Sequence, residues 1–199
     1  MSKQRRHSSG PSGKLRIVAG SLRGSRLAVP DVPGLRPTAD RVRETLFNWL
    51  APIIEGARCL DLFAGTGALG IEALSRGAGW VDFIERDPRL AQALRQNLQR
   101  LRQTGAAVRC ADAVQTLGEA AADAYDVVFV DPPFSESLWQ PAVMALEGNG
   151  WLRAGALIYL EMPASAPVDA PDSWSLHRES VAGAVRYALY RRLGASAKL

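Results

Sequence analysis

The 199-residue sequence is poor in residues that bind metals or cross-link chains, since it contains two cysteines and two histidines. Neither Cys59 nor Cys110 has a second cysteine or a histidine at metal-ligand spacing, so the sequence predicts no metal site. Both cysteines stand within apolar runs. We therefore expect them to be reduced and buried in the core of a cytoplasmic protein.

Long apolar stretches are also absent. No run approaches the roughly 18 apolar residues of a membrane-spanning helix. Residues 1–13 are polar and basic and lack the apolar segment of a secretory signal, and we expect them to form a disordered tail. Hydrophobic residues make up 47% of the chain, which suits one globular domain with a proper core.

Positive charge is concentrated near the start of the chain. Residues 1–43 contain ten of the 24 Lys and Arg residues and two of the 20 acidic ones, a net charge of +8, which leaves −4 for the remainder. This asymmetry is typical of a polyanion-binding arm attached to a neutral-to-acidic enzyme body. A merely solvated basic tail would produce the same pattern.

Residues 14–52 are predicted to form an N-terminal extension. Two short β-type runs, Leu15–Ala19 and Arg26–Val29, indicate a small hairpin. A linker rich in proline follows, and then a helix that Thr38 or Asp40 can cap and that runs to about Leu50.

From residue 53 to 199 the pattern is that of an α/β domain. Strand-like and helical segments alternate, and the strands are nearly continuous apolar runs, which is typical of a parallel sheet covered on both faces. The predicted strands are Arg58–Leu62, Trp80–Glu85, Val108–Asp112, Tyr125–Val130 and Ala156–Glu161. The last two strand-like runs, Trp174–Val181 and Ala184–Arg191, indicate an antiparallel hairpin at the sheet edge.

A glycine-rich turn follows the first of these strands. Gly65, Gly67 and Gly70 form the pattern G-x-G-x-x-G between a strand and a helix, where the backbone turns tightly and a ligand approaches it closely. Glu85 ends the second strand 20 residues after Gly65, at the distance where a carboxylate accepts from ribose hydroxyls. This spacing fits either NAD or S-adenosylmethionine.

Two further acids favour S-adenosylmethionine over NAD. Asp61, at the end of the first strand, would face the phosphates of NAD unfavourably but suits the positively charged amino acid end of S-adenosylmethionine. Asp112 ends the third strand and can meet the adenine amino group. Asp112 can equally be the N-cap of a helix, and the two roles are compatible.

The most specific motif is Asp131-Pro132-Pro133-Phe134, directly after the fourth strand. Two prolines hold the backbone extended and provide carbonyl acceptors without N–H donors. The amino group of a nucleobase is a poor nucleophile because its lone pair is delocalised into the ring. The Asp131 carboxylate and the Pro132 carbonyl can accept from its two N–H bonds and favour a pyramidal nitrogen, while Phe134 stacks on the base.

These motifs resemble known families. Asp61–Gly70 resembles the cofactor motif of class I methyltransferases, and Asp131–Phe134 resembles the motif of amino-methyltransferases. The segments Leu15–Gly20, Arg23–Gly24, Leu35–Thr38 and Asp40–Leu50 are similar to the bacterial family that methylates guanine N2 in 16S ribosomal RNA. The resemblance extends from Lys14 to about Arg192 and leaves the basic tail without a family counterpart.

The resemblance implies a Rossmann-like class I methyltransferase fold, with a seven-stranded, mostly parallel sheet whose last strand is antiparallel. It implies a small N-terminal β-hairpin and helix in addition. It also implies transfer of one methyl group to guanine N2 of 16S ribosomal RNA in assembled or partly assembled small subunits, with S-adenosylhomocysteine as by-product and no metal. One catalytic domain with a small basic arm favours a monomer.

The residue roles implied by the resemblance fall into three groups. Catalysis is assigned to Asp131, Pro132, Pro133 and Phe134. Cofactor binding is assigned to Asp61, Phe63, Gly65, Gly67, Glu85 and Asp112. RNA binding is assigned to Arg23, Arg36, Arg41 and Arg43.

Three alternatives stay open at this point. The Asp-Pro-Pro-Phe motif does not separate guanine N2 from adenine N6 in DNA or RNA, because both amino groups pose the same lone-pair problem. An NAD-dependent oxidoreductase fits the glycine spacing but lacks an obvious hydride-transfer acid or base, since His177 is the one histidine outside the tail. A non-catalytic RNA-binding protein is disfavoured by the intact Asp131 motif.

Overall fold

The computed structural model describes residues 13–30, 32 and 38–194. Arg36 and residues 1–12 of the predicted tail lie outside the described residues. The strands are β1 (Gly13–Arg16), β2 (Arg26–Val29), β3 (Arg58–Asp61), β4 (Trp80–Glu85), β5 (Ala106–Cys110), β6 (Tyr125–Val130), β7 (Leu152–Pro163), β8 (Trp174–Ala182) and β9 (Val185–Arg192). The helices are α1 (Asp40–Leu50), α2 (Ala68–Ser75), α3 (Pro88–Arg100), α4 (Ala113–Leu117) and α5 (Trp139–Gly148), with a 3-10 turn at Phe134–Glu136.

Within the described part of the chain, seven strands form one sheet in the order β5-β4-β3-β6-β7-β9-β8. The five strands from β5 to β7 are parallel, and β9 runs antiparallel to both β7 and β8. The predicted seven-stranded sheet, with its antiparallel last strand and edge hairpin, is confirmed. β1 and β2 form the separate antiparallel hairpin that the sequence predicts.

Both faces of the central strands β3 and β6 are buried, which explains why these parallel strands are nearly continuously apolar. Consecutive residues of a strand point to opposite faces and join two different hydrophobic clusters. One cluster contains Cys59, Val127 and Phe129, and the other contains Leu60, Val128 and Val130. α2, buried along its whole length, and the apolar face of α3 cover the first of these clusters.

The N-terminal extension shares the first cluster rather than forming a core of its own. Ile17 and Leu27 from the hairpin and Leu46 and Phe47 from α1 are fully buried in it. β1 ends at Arg16, short of the predicted Ala19. The N–H of Ile17 still donates to Ser25 in the hairpin, but the N–H groups of Val18 and Ala19 leave it and donate to the carboxylate of Glu72 on α2.

Other differences from the sequence-based expectations reflect position in the sheet. β5 ends at Cys110 rather than Asp112, and β7 is longer than predicted. The prediction that Cys110 is buried is wrong, because β5 is the edge strand and its last residue is exposed; Cys59 in the central β3 is buried. Among the described residues, no helix is both long and apolar enough to cross a membrane.

Candidate active site

A cavity of about 830 Å³ opens at the carboxyl ends of the parallel strands. Besides Asp87 and Glu136, five acidic residues line it, one within the last three residues of each parallel strand or within the two residues that follow it. In sheet order from β5 to β7 these residues are Asp112, Glu85, Asp61, Asp131 and Glu161. Crevices outside the carboxyl ends of such strands are where ligands bind in α/β folds.

The glycine turn forms one wall of the cavity. The backbone N–H of Gly65 donates to Glu85 at 2.7 Å, and the N–H of Gly70 donates to Asp61 at 3.0 Å. Gly67 has a φ of +76°, and a Cβ there would lie 2.3 Å from a methyl carbon of Leu94 on α3. Only glycine fits this position, because the turn packs closely against α3. Gly65, which also has a positive φ, is the glycine of this turn that lines the cavity.

Asp61 is 3% exposed at the end of β3. The pKa of its carboxyl is raised to about 7, mainly by burial; the hydrogen bond from Gly70 opposes the rise, and the charge of Glu85 adds to it. A buried carboxyl of this kind gains most from a cationic partner, which favours its ionised form. The predicted partner, the ammonium of an amino acid, meets that requirement.

Glu85 and Asp112 already have backbone partners. Glu85 is 8% exposed and also accepts from the N–H of Asp87 at 2.7 Å. Asp112 is half-buried and is the N-cap of α4, where it accepts from the N–H of Gln115 at 2.9 Å. The helix-capping interpretation of Asp112 is therefore confirmed, and its position on the cavity wall leaves a ligand contact compatible with it.

The Asp131 motif lies on the same cavity, beyond the glycine turn. Asp131 and Phe134 are half-buried, and Pro132 is buried. Pro133 is exposed, and its carbonyl accepts from Glu136 as the chain enters the 3-10 turn. An ion pair between Arg86 and Glu136 connects this loop to the end of β4.

Thr38 has a role that the sequence did not indicate. Thr38 and Asp40 were the alternative caps predicted for α1, and both predictions are wrong, because the N-cap is Ala39 without a side-chain hydrogen bond. The Thr38 hydroxyl instead donates to Asp131 at 3.1 Å, and Thr38 is 6% exposed. The start of α1 therefore positions the side chain of the catalytic candidate, a contact between residues 93 positions apart.

The pKa of Asp131 lies well above its usual range. Burial is the main cause, the carboxyl of Glu161 adds to it, the Thr38 hydroxyl opposes it, and Asp61 contributes a smaller rise. Perturbed carboxyls in a cavity are typical of functional sites. Asp131 is therefore suited both to accept hydrogen bonds from a ligand and to take up a proton.

The sequence analysis did not single out Glu161. It is 8% exposed, lines the cavity and accepts a hydrogen bond from the hydroxyl of Tyr159 at 2.8 Å. An acid at the end of an apolar strand was the only signal in the sequence. Only the pairing of β6 with β7 in the structure shows that Glu161 lies next to Asp131.

The arginines predicted to bind RNA differ in their surroundings. Arg23 and Arg41 are exposed, and Arg36 lies outside the described residues. The prediction for Arg43 is wrong, because its side chain is fully buried and donates to the carbonyl of Arg16 and to Asp40. Burial lowers the pKa of Arg43, while nearby acids, among them Glu72, oppose that change. Arg43 joins α1 to the hairpin and has no surface for RNA.

The described residues contain no candidate metal centre. Among residues 13–30, 32 and 38–194, no group of three or more His, Cys, Asp or Glu side chains is arranged to hold a metal ion.

Comparison with known proteins gives concordant matches over almost the whole chain. The family model described as "Conserved hypothetical protein 95" matches residues 15–191. The ribosomal RNA small subunit methyltransferase D of Escherichia coli is 52% identical over 182 residues, which cover 91% of both chains. The protein of that name from Haemophilus influenzae is 43% identical over 188 residues, covering 90% of this chain and 94% of the other. The solved structure of Escherichia coli yhhF is 50% identical, covers 92% of this chain and 99% of its own, and superposes with a TM-score of 0.84.

Proposed function

Since the chain belongs to the ribosomal RNA small subunit methyltransferase D family, with its class I methyltransferase fold, we propose that it methylates 16S ribosomal RNA of the small subunit. The proposed reaction transfers a methyl group from S-adenosylmethionine to the exocyclic N2 amino group of a guanine. The proposed substrate is the RNA within assembled or partly assembled small subunits. We further propose that the enzyme acts as a monomer, without a metal.

One observation carries the proposal: the glycine turn and the Asp131 motif open onto one cavity. A methyl transferase for amines must hold a methyl donor and an amino group next to each other, because in-line positioning supplies most of the rate enhancement. The cavity volume of about 830 Å³ is within the range of small-molecule sites.

The residues at one end of the cavity fit the methyl donor. S-adenosylmethionine, when bound, supplies an electrophilic methyl group on a sulfonium centre. Asp61 would pair with its ammonium group, which compensates the cost of burying the ionised carboxylate. Glu85 would accept from the ribose hydroxyls and Asp112 from the adenine amino group, each keeping its backbone partner. Phe63 and Gly65 would line this part of the site, and Gly67 would shape the turn beside them.

The Asp131 motif fits the target amino group. The carboxylate of Asp131 and the carbonyl of Pro132 would accept from the two N–H bonds, which leaves the nitrogen lone pair directed at the methyl group. Phe134 would stack on the base and hold its plane. Pro133 keeps the backbone extended between them.

The amine nitrogen must lose one proton once its new bond to carbon has formed. Asp131 lies where that proton leaves, and its raised pKa makes it a better acceptor than an ordinary aspartate. The hydroxyl of Thr38 holds the carboxylate in one orientation throughout. No histidine is needed for this chemistry.

RNA binding would use the exposed basic residues of the N-terminal extension. Arg23 and Arg41 have the exposure that contacts with phosphates require. Arg36 and the basic residues of the tail are proposed to add to the same electrostatic attraction. We propose that residues 14–52 are the extension that contacts both RNA and cofactor, and that residues 53–199 are the catalytic domain.

The test is methyl transfer to small-subunit particles from cells that lack the enzyme, with S-adenosylmethionine labelled in its methyl group. We expect label in N2-methylguanine of 16S RNA with the wild-type protein and none with Asp131→Ala. Asp169→Ala is the matched control, because this aspartate is exposed and does not line the cavity.

Label in N6-methyladenine instead would overturn the choice of target atom. Label in DNA but not in RNA would overturn the substrate. Full activity of Asp131→Ala would show that the Asp-Pro-Pro-Phe motif is not the amine-binding element.

A further inference from the structure

Asp131 and Glu161 lie side by side near the carboxyl ends of the inner strands β6 and β7. β6 and β7 are parallel neighbours, and the last aligned pair is Val130 with Leu160. The residue that follows each member of this pair is an acid, so two carboxyls lie at the same level on adjacent strands, just after the last residue of β6 and two residues before the end of β7. Both line the cavity.

The two carboxyls influence each other electrostatically. Glu161 is 8% exposed, and its charge is one cause, after burial, of the raised pKa of Asp131. Neighbouring carboxyls with a perturbed pKa on the wall of a cavity are typical of binding and catalytic sites.

A hydrogen bond from Tyr159 fixes the orientation of the Glu161 side chain. The hydroxyl of Tyr159, two residues earlier on β7, donates to one carboxylate oxygen at 2.8 Å, and Tyr159 itself is fully buried. Glu161 also pairs across the sheet with Tyr187 of β9. The side chain is thus held at the cavity wall beside Asp131 rather than free to turn towards solvent.

Two adjacent acceptors match guanine and not adenine. The Watson–Crick edge of guanine presents the donors N1–H and N2–H₂ next to each other. Adenine presents its amino group next to an unprotonated N1, whose lone pair a carboxylate would repel. The Asp131 motif alone treats the two amino groups alike.

We propose that Glu161 selects guanine by accepting a hydrogen bond from N1–H of the target base while Asp131 accepts from the neighbouring N2 amino group. This assignment rests on the proposed function, since it names a specificity-determining residue of the same site. Sites that hydrogen-bond a buried substrate group reject analogues without it far more strongly than sites that merely fit by shape.

The test compares two bases at the methylated position in reconstituted small-subunit particles. One set of particles contains guanine there, and the other contains 2-aminopurine, which keeps the amino group at C2 but lacks the hydrogen on N1. The ratio of kcat/KM for guanine to kcat/KM for 2-aminopurine is measured for wild type, Glu161→Gln and Glu179→Gln. Glu179 is the matched control because it is exposed on β8.

We expect the wild-type enzyme to prefer guanine and Glu161→Gln to reduce that preference by about tenfold or more, because its carboxamide can donate to an unprotonated N1 as well as accept from N1–H. The ratio for Glu179→Gln should equal that of wild type. The loss of the O6 atom in 2-aminopurine cancels in this comparison, since it affects both enzymes.

An unchanged ratio in Glu161→Gln would overturn the proposal. The rise in melting temperature on adding S-adenosylhomocysteine shows whether each variant is correctly folded. If that rise is lost in Glu161→Gln, the ratio of kcat/KM for the two bases is measured for Tyr159→Phe instead. This variant keeps the Glu161 carboxylate but removes the hydrogen bond that orients it. A preference for guanine equal to that of wild type would then reject the proposal. Failure of the proposed function is recognised separately, because the wild-type protein would then place no methyl group on N2 of guanine in either set of particles.

Discussion

Replacing Asp61 with asparagine should stabilise the ligand-free protein at alkaline pH and have a smaller effect in acid. The folded protein raises the pKa of this carboxyl from 3.8 to about 7, so folding favours its protonated form. That stabilising contribution is complete below the unfolded value and is lost as pH rises through the folded value. Asparagine does not titrate and keeps an acceptor for the N–H of Gly70.

The magnitude follows from the distance between the two pKa values. The span from 3.8 to about 7 corresponds to about 4 kcal/mol, at about 1.4 kcal/mol for each pKa unit. Asp61 lines an open cavity, where water relaxes part of the cost, and we expect about 2 kcal/mol. Urea unfolding of wild type and Asp61→Asn at about pH 5 and about pH 8.5 measures the difference, with the exposed Asp169→Asn as control.

Cofactor binding gives the second half of this experiment. An ammonium next to Asp61 stabilises the ionised carboxylate, so binding of S-adenosylhomocysteine to wild type should release a proton below about pH 7 and tighten as pH rises towards 8. Asp61→Asn should bind more weakly and with little dependence on pH in that range. A stability difference that does not change with pH, or identical pH profiles of binding, would refute the reasoning.

Two further outcomes are expected from the contacts of α1. Thr38→Val removes the hydroxyl that lowers the pKa of Asp131, so the acid limb of kcat/KM should move to higher pH while S-adenosylhomocysteine binding is retained; a limb at the wild-type pH would contradict this role. Arg43→Ala should cost about 3 kcal/mol of unfolding free energy, because it removes a large, fully buried side chain and the hydrogen bonds by which that side chain joins α1 to the hairpin. Arg41→Ala should weaken RNA binding without lowering the melting temperature, since Arg41 is exposed. Urea unfolding and RNA binding at two salt concentrations separate the two arginines, and equal effects of both substitutions on RNA affinity would contradict the assignment.

Much of the site follows from local sequence. An apolar strand, a tight glycine turn and a helix place Gly65 and Gly67 at the end of β3 whatever surrounds them, because backbone sterics allow little else. The two prolines after Asp131 likewise fix an extended loop at the end of β6. Alternation of strands with helices then brings these ends to the same edge of a parallel sheet.

Burial of individual polar residues did not follow from the sequence. Arg43 stands in a basic segment, and its charge alone indicated a surface role. In the structure it donates to the carbonyl of Arg16 in the hairpin and to Asp40 of its own helix, and these contacts and the nearby Glu72 of α2 offset part of the cost of burial. Cys110 shows the reverse case, since an apolar run that forms an edge strand leaves its end exposed.

The sequence by itself determined the α/β class, the strand ends that carry ligand-binding residues, and the Asp131 motif, because each depends on interactions between residues a few positions apart. Only the tertiary structure decided which of those strand ends are neighbours. The sheet order sets β6 between β7, the next strand along the chain, and β3, which lies far from both, and so brings Glu161 and Asp61 to either side of Asp131. Pairing between distant strands is fixed by packing of the whole core, and no local pattern encodes it.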